Sequence, residues 1–474
     1  MTKEQLFKAW SFVVIFGLTG WHCTLSAQEP LSLDSCRNMA LRNNKSLQIA
    51  DEVVTQAAYT RKAARGAYLP SIDFTGAYIY NQKDIQLVDV DALRSAIGGL
   101  GIPSSWASAI IPDDLLEFDT HHVGVGAVTV TQPVFLGGKI KAINDLASQA
   151  EKLAGSQRRL TEENVITSVD DAYWLVVSLE QKKRLAKNFV ALVDTLHRNV
   201  AAMVADGVAT RSDELTVSVA LNEAEIALVK VENGLSLSRM LLAQLCGMPL
   251  DSDFVLQDVV QTDTATTENT PIPLIDMENV YGNREELKSL GYLTHMAEAQ
   301  QRMALSTLLP SVAVVGAYTF NKPNLYNGFK TDFDGMFRVG VVLRVPIFHW
   351  GTDFYRYKAS HSATVITRIE TEAAKERIEL QVNQAAYRLS EAIKTYHMTC
   401  RNTDNASDNL HNAQLSFSEG VYTTSDVLAA QVAWEKAQTE KIDAYISVQI
   451  SHAAMERALG ETQYGENRVK PNKQ

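Results

Sequence analysis

The sequence predicts a mixed α/β membrane protein, internally duplicated, in which pairs of β-barrel strands alternate with helices long enough to build a stalk. Three observations carry that prediction. One set of short motifs recurs in order in both halves of the chain. Residues alternating in strand fashion stand between the first two motifs of each half. Each half then holds a proline-free helical run of 67 residues.

The duplication is read from position. Tyr68-Leu69-Pro70-Ser71 with Gly76-Ala77-Tyr78 matches Leu308-Leu309-Pro310-Ser311 with Gly316-Ala317-Tyr318. Pro133-Val134-Phe135 with Gly138 matches Pro346-Ile347-Phe348 with Gly351, and Asp206-Gly207-Val208 matches Glu419-Gly420-Val421. Leu245-Cys246-Gly247 and Ala458-Leu459-Gly460 complete the series. The offset stays at 213 from Pro133 to Gly247 but is 240 at Pro70, so the first copy carries 27 extra residues between Pro70 and Pro133. Ordered matches at a fixed spacing mark a repeat architecture. They assign 28–250 to a first repeat and 281–460 to a second. A Thr-, Asp- and Pro-rich stretch over 251–280 reads as an equatorial connector, and 461–474 as a flexible polar tail.

Within each copy the periodicity switches from helix to strand and back. Residues 33–69 are helical in composition, with Ser32 or Asp34 placed to cap them. Pro70 ends that run, because the residue before a proline is driven out of the α region. Ile72, Phe74, Tyr78 and Tyr80 then alternate, predicting a strand over 71–80. A second follows over 121–131, with Val123, Val125 and Ala127 opposite Gly124, Gly126 and Val128. The second copy repeats the pattern with a helix over 281–309 and strands over 311–320 and 336–345. Phe337, Val339, Val341, Leu343 and Val345 share one face there, while Arg338 and Arg344 take the other. Apolar residues outside and arginine inside suit a barrel with a wet lumen. A half-buried sheet in a soluble protein would show the same alternation.

The long helices are predicted over 139–205 and 352–418, with apolar residues spaced by 3 and 4: Leu185, Phe189, Leu192 and Leu196 in one, Ile378, Val382, Ala385, Leu389, Ala392 and Tyr396 in the other. At 1.5 Å per residue each would reach about 100 Å, far beyond the need of a compact domain. Shorter helices over 213–247 and 425–459 return from the far tip. Stacked end to end with 33–69 and 281–309 they would flank the long helices, and Cys36 and Cys246 would become neighbours. Four strands cannot close a barrel alone, and open edges are excluded from lipid. Three chains would supply twelve strands, although two or four chains also give even totals.

The remaining composition narrows the class. The chain has 474 residues and a net charge of -11, with basic residues scattered rather than blocked, which argues against a nucleic-acid partner. Lys3 and Lys8, the apolar stretch Phe12 to Gly20 and Leu25-Ser26-Ala27 read as a secretory leader over 1–27. Cys23 follows His22, a poor match to the small residue that lipoprotein processing wants. Cys36, Cys246 and Cys400 remain, an odd count that is no disulfide scaffold. The histidines show no metal-ligand grouping, and no nucleophile elbow, phosphate loop or dinucleotide motif is present, so neither an enzyme nor a cofactor is expected.

Gly207 and Gly420 each follow an acidic residue at the end of a long helix, where a positive φ lets the chain reverse. Thr210 with Asp213, and Thr423 with Asp426, have the spacing of a cap on the returning helix. Val208 and Val421 are apolar at the tips, as a docking surface would be. Well-made hairpins alone would account for the glycines and caps.

Leu69-Pro70-Ser71, Gln132-Pro133-Val134-Phe135 with Gly137-Gly138, Pro346-Ile347-Phe348 with Gly351, and Glu419-Gly420-Val421 running into Ser425-Asp426-Val427-Leu428-Ala429-Ala430-Gln431 together resemble the TolC family of outer-membrane efflux proteins, over 31–460. The resemblance implies a homotrimer with a twelve-stranded barrel in outer-membrane lipid and a twelve-helix periplasmic coiled-coil barrel. It implies tips that face a periplasmic adaptor (membrane fusion) protein, itself joined to an inner-membrane pump of RND or ABC type. It also places an acidic residue just after the second tip in the closed entrance, which makes Asp426 the leading gate candidate. Asp426 as a mere cap is the alternative. The family pattern carries a second aspartate where this chain has Ala429 and an arginine where it has Tyr422, while the first copy keeps Arg211 and Asp213. Asp404 and Asp408 either line the lumen or solvate an outer face. The expected role is passage of small molecules such as drugs and toxic compounds. Type I protein secretion and a periplasmic coiled-coil scaffold are the alternatives.

Overall fold

The computed structural model describes residues 30–82, 85–86, 89–101, 103, 105–106, 117–118, 120–260, 275–324 and 332–461. The expected leader with Cys23, most of the long segment between the first two strands, the middle of the connector and the tail lie outside them. The chain divides into two compact units. One comprises the residues up to Gln48, Thr161–Asp276 and Gln381 onward; the other comprises Ile49–Leu160 and Met277–Leu380.

The elements run, in order, α1 (Leu33–Asn43), α2 (Lys45–Gly66), β1 (Ser71–Tyr80), β2 (His122–Leu136), α3 (Lys139–Ala205), α4 (Arg211–Cys246), α5 (Met277–Asn283), α6 (Glu285–Ser306), β3 (Ser311–Lys322), β4 (Asp334–Arg344), α7 (Thr352–Ser418) and α8 (Thr424–Leu459). Short pieces at Val90–Gly98 and Gln257–Val260 are also helical. Among the described residues no helix is long and apolar enough to cross a membrane.

The four strands form one antiparallel sheet in the order β1-β2-β3-β4. Its register gives one largely apolar face and one that mixes polar residues with Ile79, Val123, Val125, Val315 and Val342. Ile72, Phe74, Val128, Val130, Val312, Val314, Tyr318, Phe337, Val339, Val341 and Leu343 share one face. Asp73, Thr75, Thr129, Thr131, Ala317, Thr319, Arg338 and Arg344 share the other. The second strand runs past the predicted 131 because a register shift between Pro133 and Phe135 absorbs the proline, which has no N–H for the ladder. Phe320 lies over Gly126 and stacks on Phe74 at 6.2 Å, and Tyr318 covers Gly335, so aromatic rings fill the space beside the strand glycines.

Two predicted helices are each broken in two. The run over 33–69 is interrupted at Asn44, whose backbone is extended (ψ 130°). The buried Asn44 side chain accepts from the Ser46 N–H at 2.9 Å and donates to the Leu245 carbonyl at 3.1 Å, so it starts α2 while fastening the break to α4. The run over 281–309 is interrupted at Arg284, also extended (ψ 117°), whose guanidinium pairs with Glu286 at 2.8 Å. The two breaks are 240 apart, the offset of Pro70 and Pro310, so the interruption is duplicated as well.

Strand-to-helix turns also repeat. Gly137 and Gly138 have φ of 60° and 82°, and Trp350 and Gly351 occupy the same left-handed positions at 50° and 79°. At Gly137 a Cβ would sit 2.7 Å from the Ser306 carbonyl oxygen, so only glycine fits there.

In the first unit the main core gathers α1, the start of α2, α3, α4, the segment at Phe254–Leu256 and α8 around Cys36, Leu47, Val169, Tyr173, Val177, Leu242, Cys246 and Ile446. Leu31 pairs in parallel with Leu256 and closes its edge. Inside it, Arg37 holds Asp170 through two bonds of 2.6 and 2.7 Å, both residues being buried. Burial pushes the Asp170 carboxyl up and Arg37 draws it back only in part. In the second unit, helix contacts are made by small residues, Ala142, Ala154, Ser156, Ala297 and Ala299. Ser156 donates to buried Glu285 at 2.7 Å. Burial raises that carboxyl, but Ser156, Lys288 and Arg159 together outweigh it and hold it below the ordinary glutamate range.

Candidate functional site

Two regions carry the residues singled out by the sequence: the sheet, and the hairpin tips that join α3 to α4 and α7 to α8. They lie in different units of the chain.

The apolar face of the sheet is left uncovered. Ile72, Phe74, Tyr78, Phe337, Val339, Val341 and Leu343 are all between 63% and 71% exposed. In a compact soluble domain such a face would be covered. The strand ends continue it into an aromatic band. Ile347, Phe348, Trp350, Phe354 and Tyr355 are exposed after β4, as are Tyr68, Leu69, Val134 and Phe135 at the corresponding end of β1 and β2. Rings of this kind belong where a bilayer meets water. On the opposite face, Arg338 donates to the Thr319 hydroxyl at 3.0 Å, bridging β4 and β3. Arg344 is on the same face, at the end of β4, and exposed. The sequence pattern named these two arginines but not the band of aromatic residues, whose signal was the Phe-His-Trp and Phe-Tyr clusters flanking Gly351.

The tips are near-duplicates. Gly207 and Gly420 have φ of 78° and 75°. Val208 N–H bonds back to the Met203 carbonyl and Val421 N–H to that of Ser416, both at 2.8 Å, which satisfies the last carbonyls of each long helix. Val208 and Val421 are each 73% exposed. Beyond them Thr210 and Thr423 cap the returning helices with full capping boxes. Asp213 Oδ2 accepts the Thr210 amide at 3.0 Å and its hydroxyl at 2.6 Å; Asp426 Oδ2 accepts the Thr423 amide at 2.9 Å and its hydroxyl at 2.7 Å. Those bonds hold both carboxyls below the ordinary aspartate range.

Around the caps the side chains divide. Val427 turns inward, fully buried with Val193, Leu196, Val200 and Val217, so the two hairpins pack on one core. Tyr422 and Asp426 stay exposed at the second tip. Arg211 pairs with Glu214 one turn along its own helix at 2.5 Å rather than with an aspartate. Asp404 and Asp408 are exposed on α7, a turn away from Leu410, whose side chain packs with Ala413 and Ala430. The structure brings Asp426 and Tyr422 together at one tip and Arg211 and Asp213 at the other. It keeps Asp404 and Asp408 apart from both. Among the described residues no cluster of His, Cys, Asp and Glu is arranged to hold a metal ion.

A family model for outer membrane efflux proteins matches residues 36–248 and 278–461. Among solved structures, the outer membrane protein VceC of Vibrio cholerae is similar at 15% identity over 90% of this chain and 96% of its own, with a TM-score of 0.70. The CmeC outer membrane channel of Campylobacter jejuni shares 15% identity over 90% and 85%, with a TM-score of 0.72. The open state of the MtrE outer membrane channel of Neisseria gonorrhoeae shares 17% over 90% and 88%, with a TM-score of 0.69. No curated protein matches the chain by sequence. The strand pairs and long helices define an outer-membrane channel fold with a helical periplasmic extension. This chain belongs to the outer membrane efflux protein family. It is an outer-membrane exit channel, a passive conduit rather than an enzyme.

Proposed function

We propose that three copies of this chain close a twelve-stranded barrel and serve as the exit duct of a tripartite export system, carrying small molecules from a pump and its adaptor to the exterior. The observation that carries this reading is the sheet itself, with one continuous apolar face and, among the described residues, two unpaired edges at β1 and β4. Unpaired strand edges are not tolerated in lipid, so other copies must pair with them. A stripe on α4 supports the same assembly. Leu215, Val219, Ile226 and Val229 are each more than half exposed, at a spacing that suits a seam with a second helix.

In this reading residues 1–27 are removed as a leader, and Arg338 and Arg344 line the barrel lumen. Val208 and Val421 on the tips dock the adaptor, and Asp426 lines the entrance. Three Asp426 carboxylates around an axis would favour cations and narrow the entrance by their ordered caps. Tyr422, Asp213 and Arg211 flank that ring. Asp404 and Asp408 solvate an outer face. A pump of RND or ABC type supplies the energy. Protein export by the same architecture differs only in the cargo delivered by the pump.

Single-channel conductance of the purified full chain, wild type against Asp426→Asn, tests the proposal. A small cation-preferring conductance whose preference falls in the variant supports an entrance lined by Asp426. Unchanged selectivity removes Asp426 from the pore, and absence of conductance from folded oligomer refutes the channel.

A further inference from the structure

We infer that Cys36 and Cys246 are joined by a disulfide in the exported chain, stapling α1 to the C-terminal end of α4. Both are fully buried in the same core. The Cys246 sulfur lies 3.6 Å from the Cys36 carbonyl oxygen, inside one buried cluster that holds both side chains. Their backbones are positioned by groups other than the sulfurs. Asn44 donates to the Leu245 carbonyl at 3.1 Å and Asn43 to that of Cys246 at 3.5 Å. Gly247, at φ 72°, lies against Asn43 so closely that a Cβ would sit 2.5 Å from the Asn43 Cβ. The cysteines therefore meet at a junction whose register is set independently of them.

Buried thiols in a reducing compartment act as small apolar residues. An outer-membrane protein with a periplasmic extension folds instead where disulfides form and persist. At zero exposure no oxidant reaches either sulfur in the closed structure, so the exchange belongs to folding, before α1 settles on α4. One cysteine thiolate attacks the disulfide of a periplasmic protein oxidant and expels one of its thiolates, giving a mixed disulfide. The other cysteine thiolate attacks the sulfur of the first and expels the remaining oxidant thiolate. Two protons leave the cysteines and two electrons reduce the oxidant to its dithiol. The bond closes a loop of more than 200 residues (Cys36 to Cys246), the case in which a cross-link restricts the unfolded chain most. It would hold the 11-residue helix α1, too short to persist alone, on its partner.

The test is differential alkylation of the full chain in expressing cells. Cells are quenched in acid, denatured and treated with N-ethylmaleimide, and unreduced digests are read by mass spectrometry. The part-exposed Cys400 serves as the internal reference. The expected result is a labelled Cys400 peptide, loss of label at Cys36 and Cys246, and one cross-linked peptide that reduction separates. Cys36→Ala should restore labelling of Cys246, and the double variant Cys36→Ala, Cys246→Ala should unfold at the temperature of reduced wild type. Labelling of Cys36 and Cys246 equal to that of Cys400, or a link from either to another cysteine, overturns the inference. Should the variants fail to fold, the wild-type digest decides alone.

Discussion

Asp426 does two things that are separable by substitution. Its carboxylate completes the cap on α8, and its charge is available to an entrance ring. Asn retains an acceptor without the charge, so Asp426→Asn should alter cation preference while leaving the tip folded, whereas Thr423→Ala should leave the charge but weaken the cap. Removing an N-cap hydroxyl costs about 1 kcal/mol, and faster amide exchange at Asp426 and Val427 would register it. The caps also set a pH dependence. Thr210 and Thr423 hold Asp213 and Asp426 below the ordinary aspartate value. With the folded value below the unfolded one, the stabilisation is complete above the ordinary value and is lost as pH falls through the lowered one. Amide protection at both tips should therefore stay level from neutral pH down to about pH 4 and decline below it. Exchange that instead changes between pH 5 and 8 would show that another group controls the tips.

The elements depend on a few enforced geometries. Gly420 needs a left-handed backbone, and Gly420→Ala should destabilise the second hairpin by about 1–2 kcal/mol, measured by local exchange rather than by the global transition. In the sheet, Gly126→Val would push its side chain into the Phe320 ring, so the yield of the proposed oligomer should fall, measured by light scattering. Within the main core, Asp170→Ala would leave Arg37 buried without its bidentate partner, at about 3–5 kcal/mol, to be read in chemical denaturation. Periodicity made the strands and long helices visible, since proline-free apolar spacing and two-residue alternation are local signals. The breaks at Asn44 and Arg284 were hidden. Asparagine in a polar helical run is unremarkable until the Leu245 carbonyl is there to receive it, and arginine has no capping signature at all.

At the scale of the whole molecule, the proposed assembly would cover what one chain leaves open. Val219→Lys with Ile226→Lys places charge in the exposed stripe of α4, on the side away from buried Val217. A single chain should fold as before, since exposed substitutions shift stability by only about 0.5 kcal/mol. Oligomer mass by light scattering should fall to that of one chain, and an unchanged oligomer would place the seam elsewhere. Val208→Asp with Val421→Asp makes the complementary change at the tips, with the oligomer retained and capture of the periplasmic adaptor lost.

By itself the sequence determined the duplication, the fold class, the two-faced strands and the reversing tips, because each is written in near neighbours or in a constant offset. Tertiary structure alone decided which polar groups meet. It paired Arg37 with Asp170, turned Arg211 toward Glu214 and put the two hairpins on one core through Val427. Those contacts join residues distant in sequence or select one partner from several nearby. Their free energies depend on burial and distance, which no local pattern encodes.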